Sequence, residues 1–218
     1  MIGEFMVIGL GRFGKNLTLN LARQGQSVMA VDIAEEEVQR MAAEIDAVAC
    51  ADVTDEAALR ELHPERMTCV VVAIGVEAVQ ASILATTLLR QIGVPRIIAR
   101  AVDELHARVL RAVGAHEIVN PEAEIGASLA RRLAQPNVFS QLALADDADL
   151  AEILVPAEFV DKTLVELDMR NRYGITVVAI RREGRVHAGL GPKERLQDKD
   201  ILIIIGSTSA IRRLAGMA

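Results

Sequence analysis

The residues whose spacing most clearly suggests chemistry are Gly9-Leu10-Gly11-Arg12-Phe13-Gly14, a G-x-G-x-x-G run. The run follows an apolar stretch, opens a helical pattern and is followed by an acid, Asp32, at the end of the next apolar stretch. In that setting each glycine has a physical job. Gly9 permits a tight turn, Gly11 leaves space for a pyrophosphate against the backbone, and Gly14 lets the helix pack close to a sheet. The helix start offers unpaired N–H groups and a partial positive charge to phosphates. Asp32, with Ile33 beside it, is placed to accept hydrogen bonds from ribose hydroxyls, and an acid there repels a 2′-phosphate. Arg12 lies inside the turn, where a guanidinium faces the phosphates of its own site or of a neighbour's. It tilts the expected ligand toward one rich in phosphate charge, ATP or ADP.

Two further segments fall at the ends of predicted strands, where open parallel sheets bind ligands. Asp52-Val53-Thr54 and Ala73-Ile74-Gly75 are placed to frame an adenine and its ribose. Asp52 and Thr54 read equally well as ordinary helix caps. Arg100, at the end of a fifth strand, is within reach of phosphate. The four histidines, His63, His106, His116 and His187, read as surface residues, none at a predicted strand end beside a polar partner. There is no G-x-S-x-G, C-x-x-C, H-E-x-x-H or Walker A run. A hydride-transfer enzyme needs an acid or base beside its acceptor pocket, and none is visible, so the pattern suits binding a nucleotide rather than transforming one.

The elements that must position these residues alternate. Strands are expected at 5–9, 27–33, 47–50, 69–75, 96–102 and 117–119. Helices are expected at 11–24, 35–44, 55–62 (capped by Thr54), 77–92 and 104–113. This is the βαβ rhythm of a doubly wound parallel sheet. After Asn120-Pro121 the rhythm changes to an amphipathic helix over 122–134, a break at Gln135-Pro136-Asn137 and an acidic turn at Asp146, Asp147 and Asp149 that reads as a linker. Strands at 151–155, 175–181, 185–188 and 201–206, with helices at 163–173 and 208–215, make a second, smaller α+β unit. The expected organisation is a Rossmann-type nucleotide-binding lobe over 1–121, a crossover helix and linker over 122–137, and a C-terminal lobe over 138–218. The small lobe is expected to pair with a second copy of itself or to pack on a neighbour.

Composition agrees. The chain has 218 residues, 51% of them apolar and only 2% aromatic, which suits the continuous aliphatic strands of a parallel sheet. The net charge of -6 argues against a nucleic-acid partner. No apolar run reaches the roughly 20 residues that span a bilayer, and no signal peptide is recognisable, so a cytoplasmic location is expected. Cys50 and Cys69 fall in strand-like runs and are expected to be reduced and buried.

Taken together, VIGLGRFG (7–14), VMAVDI (28–33), ADVT (51–54), VVVAIG (70–75), QASILATTLL (80–89) and NPEAEIG (120–126) resemble the RCK domain, and more closely the Ktr/Trk-type regulatory subunit of potassium uptake systems. LVELDMRNRYGITVVAIRREG (164–184) and PKERLQDKDILIIIG (192–206) are similar to the small C-terminal lobe of that family, so the resemblance spans essentially the whole chain. It implies homodimers that assemble into an octameric ring beneath a membrane potassium transporter. ATP and ADP, or NADH and NAD, would bind the N-terminal lobe and change the ring's shape. By the same resemblance, Arg12 would contact a γ-phosphate across the dimer, Asp32 the ribose and Arg100 a phosphate. Glu122 would help hold Mg²⁺ or Ca²⁺ at the dimer interface, although the bare sequence shows only a first-turn acid. Cyclic di-AMP would bind between C-terminal lobes, along Leu164 to Tyr173, with Arg170 and Arg172 as phosphate partners. A small NAD-dependent oxidoreductase and the soluble gating ring of a potassium channel are the competing readings.

Overall fold

The computed structural model describes residues 3–134 and 137–217. Gln135 and Pro136, read from sequence as a helix break, lie outside the described residues. The chain divides into two compact units, Met1–Glu124 and Ile125–Ala218.

In the first unit the elements run β1 (Glu4–Ile8), α1 (Arg12–Arg23), β2 (Ser27–Asp32), α2 (Glu35–Ala42), β3 (Val48–Cys50), α3 (Glu56–Glu61), β4 (Cys69–Val72), α4 (Val79–Ile92), β5 (Ile97–Arg100), α5 (Glu104–Ala112) and β6 (Glu117–Val119). A sixth helix, α6 (Pro121–Ala134), starts here and runs into the second unit. All strand pairs of this unit are parallel, in the order β3-β2-β1-β4-β5-β6. The chain builds outward from β1 through β2 to β3, then returns to build β4, β5 and β6 on the other side. The crevice for a ligand in such a sheet opens between β1 and β4, at the carboxyl ends of the strands.

Alternation along the central strands sends side chains to both faces. Met6, Ile8, Val70 and Val72 join the core under α4 and α5, while Val7 and Val71 pack with Phe13, Leu17 and Leu21 of α1. With both faces covered, the strands are aliphatic throughout, as a buried parallel sheet requires. Gly25, at φ 76, follows the C-cap of α1.

Two details differ from the sequence reading. The cap of α3 is Asp55, which accepts from the Ala57 amide at 2.8 Å, rather than Thr54. Cys69 is buried as expected, but Cys50 is exposed, because β3 is the edge strand and ends there.

The second unit holds β7 (Val138–Ala145), β8 (Ala148–Leu154), α7 (Leu164–Leu167), α8 (Met169–Tyr173), β9 (Ile175–Arg182), β10 (Arg185–Ala188), β11 (Ile201–Gly206) and α9 (Thr208–Ala215). Its sheet is antiparallel, ordered β10-β9-β11-β8-β7. Ile153, Phe159, Leu167, Leu202, Ile204 and Leu214 are among the side chains of its own core. The acidic run expected as a linker is instead the turn of the β7–β8 hairpin. Asp149 lies within β8, nearly buried, and accepts from Gln141 Nε2 at 2.7 Å and Thr208 Oγ1 at 2.6 Å. The single helix expected over 163–173 is two, because Asp168 takes a left-handed conformation at φ 44.

Candidate nucleotide site

The glycine turn sits where β1 ends and α1 begins, and the three glycines are held for different reasons. Gly9 has φ 96, which side-chain-bearing residues rarely adopt, and a Cβ there would lie 3.0 Å from the Ile74 amide nitrogen. A Cβ on Gly14 would stand 1.8 Å from the Gly9 carbonyl oxygen, so α1 can pass this close only with glycine. Gly11 faces open space, with no atom within 4 Å of where its Cβ would be. No side chain caps α1, whose N-cap is Gly11 itself. The helix start is therefore left for an acceptor from outside the chain.

Asp32 organises this turn. Its Oδ2 accepts from the Leu10 amide at 2.5 Å and its Oδ1 from the Ala34 amide at 2.8 Å. The Gly9 amide is in turn bonded to the Val31 carbonyl at 2.8 Å. The carboxylate thus pins the turn to the end of β2. A carboxylate has about four lone-pair sites, so two amide bonds leave it able to accept hydroxyl groups as well.

The cleft at this end of the sheet is lined by Gly9, Gly11, Asp32, Ile33, Asp52, Val53, Thr54, Ala73, Ile74 and Gly75, all singled out from sequence. Ile8, Ala51, Ala78 and Ala81 also line it. Ile8 and Ala51 adjoin residues already named. Ala78 and Ala81 come from the start of α4, where alanine carries no chemical signal in a sequence. The cleft measures about 200 Å³. That is below the ~300–1,000 Å³ that encloses a whole drug-sized ligand, so it suits one end of an extended ligand whose remainder runs along its rim. Asp52 Oδ1 accepts from the Thr54 hydroxyl at 2.7 Å and the Thr54 amide at 2.9 Å. These two bonds, the hydroxyl's first, hold its carboxyl below the usual carboxylate range.

Arg12, Phe13, Gly14, Arg100 and Glu122 do not line the cleft. Arg12 is exposed at the start of α1 and forms no ion pair among the described residues. Phe13 is half-buried under the sheet. Arg100 stands behind Gly75, its Nη1 3.7 Å from where a Gly75 Cβ would be. Its side chain is 15% exposed, its guanidinium lies 5.9 Å from the Phe13 ring centroid, and its Nη2 donates to Glu122 Oε1 at 2.5 Å. Arg100 Nε is buried with no hydrogen-bond partner among the described residues. Glu122 is 65% exposed. No group of three or more His, Cys, Asp or Glu side chains is placed to hold a metal ion among the described residues. Glu122 supplies at most one ligand of such a site.

One histidine departs from the surface reading: His106 is 4% exposed and bonded to Ser82. His116 is exposed as expected, with its Nδ1 accepting from the Ile97 amide at 2.9 Å. In the second unit a shallow cleft of about 240 Å³ is lined by Leu164, Asp168, Met169, Arg170 and Thr176 among others. Arg170 faces it. Arg172 lies 5.5 Å from the Tyr173 ring centroid and is not part of its lining.

The comparisons with known proteins agree with this architecture. The TrkA-N domain profile matches residues 5–121, and the TrkA-C domain profile matches residues 150–217. The chain is 40% identical over 210 residues to Ktr system potassium uptake protein C of Bacillus subtilis (strain 168), covering 96% of this chain and 95% of that one. It is 35% identical, over 96% of this chain and 94% of the relative, to Ktr system potassium uptake protein A of the same organism. Among solved structures, the GsuK channel superposes with TM-score 0.71 at 18% identity, over 100% of this chain and 39% of that chain. A GsuK structure bound to ADP aligns with TM-score 0.51 at 26% identity, over 62% of this chain and 34% of that one. The chain therefore spans well under half the length of these channel chains, whereas it matches the potassium uptake proteins almost end to end. No helix among the described residues is long and apolar enough to cross a membrane. With TrkA-N and TrkA-C domains in order and full-length relatives at this identity, the chain belongs to the RCK-domain family of Ktr/Trk-type potassium uptake regulators.

Proposed function

We propose that this chain is the nucleotide-sensing regulatory subunit of a potassium uptake system, and that the cleft between β1 and β4 is where it reads the nucleotide. The observation that carries the reading is the pairing of an open Gly11 with the Asp32 carboxylate at one end of the cleft. The open glycine and uncapped helix start suit a pyrophosphate, and the carboxylate suits a ribose. An adenine nucleotide fits both, with the base among Ile33, Val53 and Ile74. Asp32 disfavours a 2′-phosphate and hence NADP. ADP or ATP is favoured over NAD, because Arg12 is free at the helix start and Arg100 holds a buried donor without a hydrogen-bond partner among the described residues. The ADP-bound GsuK structure supports the same ligand class. The full-length relatives are potassium uptake proteins, which argues against the oxidoreductase reading.

In this reading the protein docks on a membrane potassium-transporting subunit, working as a homodimer within an octameric ring. Glu122 serves a Mg²⁺ or Ca²⁺ ion only with ligands added by the nucleotide phosphates or a second copy, since the described residues of one chain do not assemble a site. The cleft beside Arg170 is the place for cyclic di-AMP if the chain binds it.

Isothermal titration with ATP, ADP, NAD, NADH and cyclic di-AMP, with and without Mg²⁺ or Ca²⁺, tests the reading. An adenine nucleotide binds, Asp32→Ala removes the binding, and Arg12→Ala narrows the ratio between ATP and ADP affinities. Absence of binding by every adenine nucleotide would overturn it. An unchanged ATP-to-ADP ratio in the Arg12 variant would remove Arg12 from the sensing role.

A further inference from the structure

The wall of the cleft formed by Ala78 and Ala81 belongs to the start of α4, where no side chain among the described residues serves as a cap. The N-cap of α4 is Ala78, which makes no side-chain capping bond. The first turn is also tied down by a chain of polar groups that runs from α4 to α5. Ser82 Oγ, fully buried, donates to the Val79 carbonyl at 2.9 Å. It lies 2.8 Å from His106 Nε2. On the far side of the ring, His106 Nδ1 accepts from the Val102 amide at 3.3 Å.

These contacts allow one arrangement of protons. An amide N–H can only donate, so Nδ1 carries no proton. The Ser82 hydroxyl proton is committed to Val79, so Nε2 must carry the ring proton and donate it to Ser82. The imidazole is neutral, and each of its nitrogens is satisfied. A second proton has nowhere to go but Nδ1, where it would face the Val102 N–H head-on. Burial opposes that proton as well and pushes the His106 pKa down, with the Asp103 carboxylate acting in the opposite sense. Among the described residues Asp103 is the charged group that acts on the ring. It also caps α5, accepting from the His106 amide at 2.7 Å. From α4 the ring meets the Ser82 hydroxyl, and from the segment after β5 it meets the Val102 amide.

We infer that His106 is a positioning residue of the nucleotide cleft: through Ser82 it holds the first turn of α4, and a proton on Nδ1, opposed by the Val102 N–H, drives the ring off Ser82, loosens that turn and weakens nucleotide binding. The inference rests on the reading of the cleft as a nucleotide site. It makes the site sensitive to acid through a residue that touches no ligand. A ligand that needs the ordered turn favours the neutral ring, and by linkage the protonated ring disfavours the ligand.

The test uses the full chain, with ADP as the probe, titrated calorimetrically from about pH 7.5 to about pH 5. His106→Gln keeps an N–H for Ser82 but cannot titrate, and ADP's own ionisation is common to both proteins. Wild-type affinity is expected to fall at least about twofold further than the variant's across this range, the loss concentrated at the acid end because burial lowers the ring's pKa. Equal pH dependence in the two proteins overturns the inference. A second measurement needs no ligand and no stable His106 variant. In the ligand-free wild type, the Ala78 and Ala81 amide resonances should move with the His106 titration. In Ser82→Ala they should not. Resonances that ignore the titration in the wild type overturn the inference even if ADP binds. Failure of ADP to bind at neutral pH with the coupled resonances intact assigns the failure to the nucleotide reading instead.

Discussion

The glycine turn separates folding from binding one residue at a time. Gly14 is demanded by the fold, since its Cβ would overlap the Gly9 carbonyl, whereas Gly11 leaves its space empty for something else. Gly14→Ala should cost about 3 kcal/mol or more, or prevent folding, because the obstacle is backbone. Gly11→Ala should cost about 1 kcal/mol or less, since its φ of -61 suits alanine. The methyl group should nevertheless abolish nucleotide binding. Chemical denaturation followed by titration separates the two effects, and a Gly11 variant that still binds at wild-type affinity would show that the phosphates lie elsewhere. The sequence displayed all three glycines and Asp32 because their types and spacing carry the signal. It concealed that Asp32 pins the turn through the Leu10 and Ala34 amides, since backbone partners leave no mark in side-chain identity. It likewise concealed the Ser82–His106 contact, which depends on two helices meeting.

At the scale of elements, the first unit was legible almost strand by strand because aliphatic runs and helical periodicity alternate without ambiguity. The errors arose where a local rule had two candidates. Thr54 and Asp55 are adjacent, and both are good caps. Thr54 instead bonds back to Asp52, leaving Asp55 to cap α3. Asp55→Ala should therefore lower stability by about 1 kcal/mol, whereas Thr54→Ala should disturb the cleft more than the helix. Comparing urea midpoints of the two variants checks this. In the second unit β7 escaped notice because Phe139, Leu142 and Leu144 are all exposed, so the strand lacks a clean alternation of buried apolar and exposed polar positions. The split between α7 and α8 escaped because an aspartate in the left-handed region looks like any helical aspartate in sequence.

The whole chain consists of two units, each with its own sheet and its own core. Calorimetry should resolve two unfolding transitions, and only one should respond to an adenine nucleotide. A ligand at a hundredfold excess over its Kd adds about 2.7 kcal/mol to the unit that binds it. For a domain of this size that raises the midpoint by roughly 10 °C. A single transition that shifts as a whole with the nucleotide would show that the units unfold as one body. Two-unit organisation was visible in the sequence as the change of rhythm after Pro121. The antiparallel order β10-β9-β11-β8-β7 was not, because pairing between strands far apart in the chain is set by packing that no local pattern encodes.

The contrast between the two cysteines has a practical consequence. Cys69 is enclosed in the central sheet, and burial pushes its thiol pKa up, so it is shielded from electrophiles. Cys50 is open to solvent at the end of β3, one residue before Ala51 of the cleft wall. A maleimide dye or spin label added to the native protein thus has one address per chain. The unaltered sequence already carries an attachment point for a fluorescent or paramagnetic reporter at the edge of the cleft.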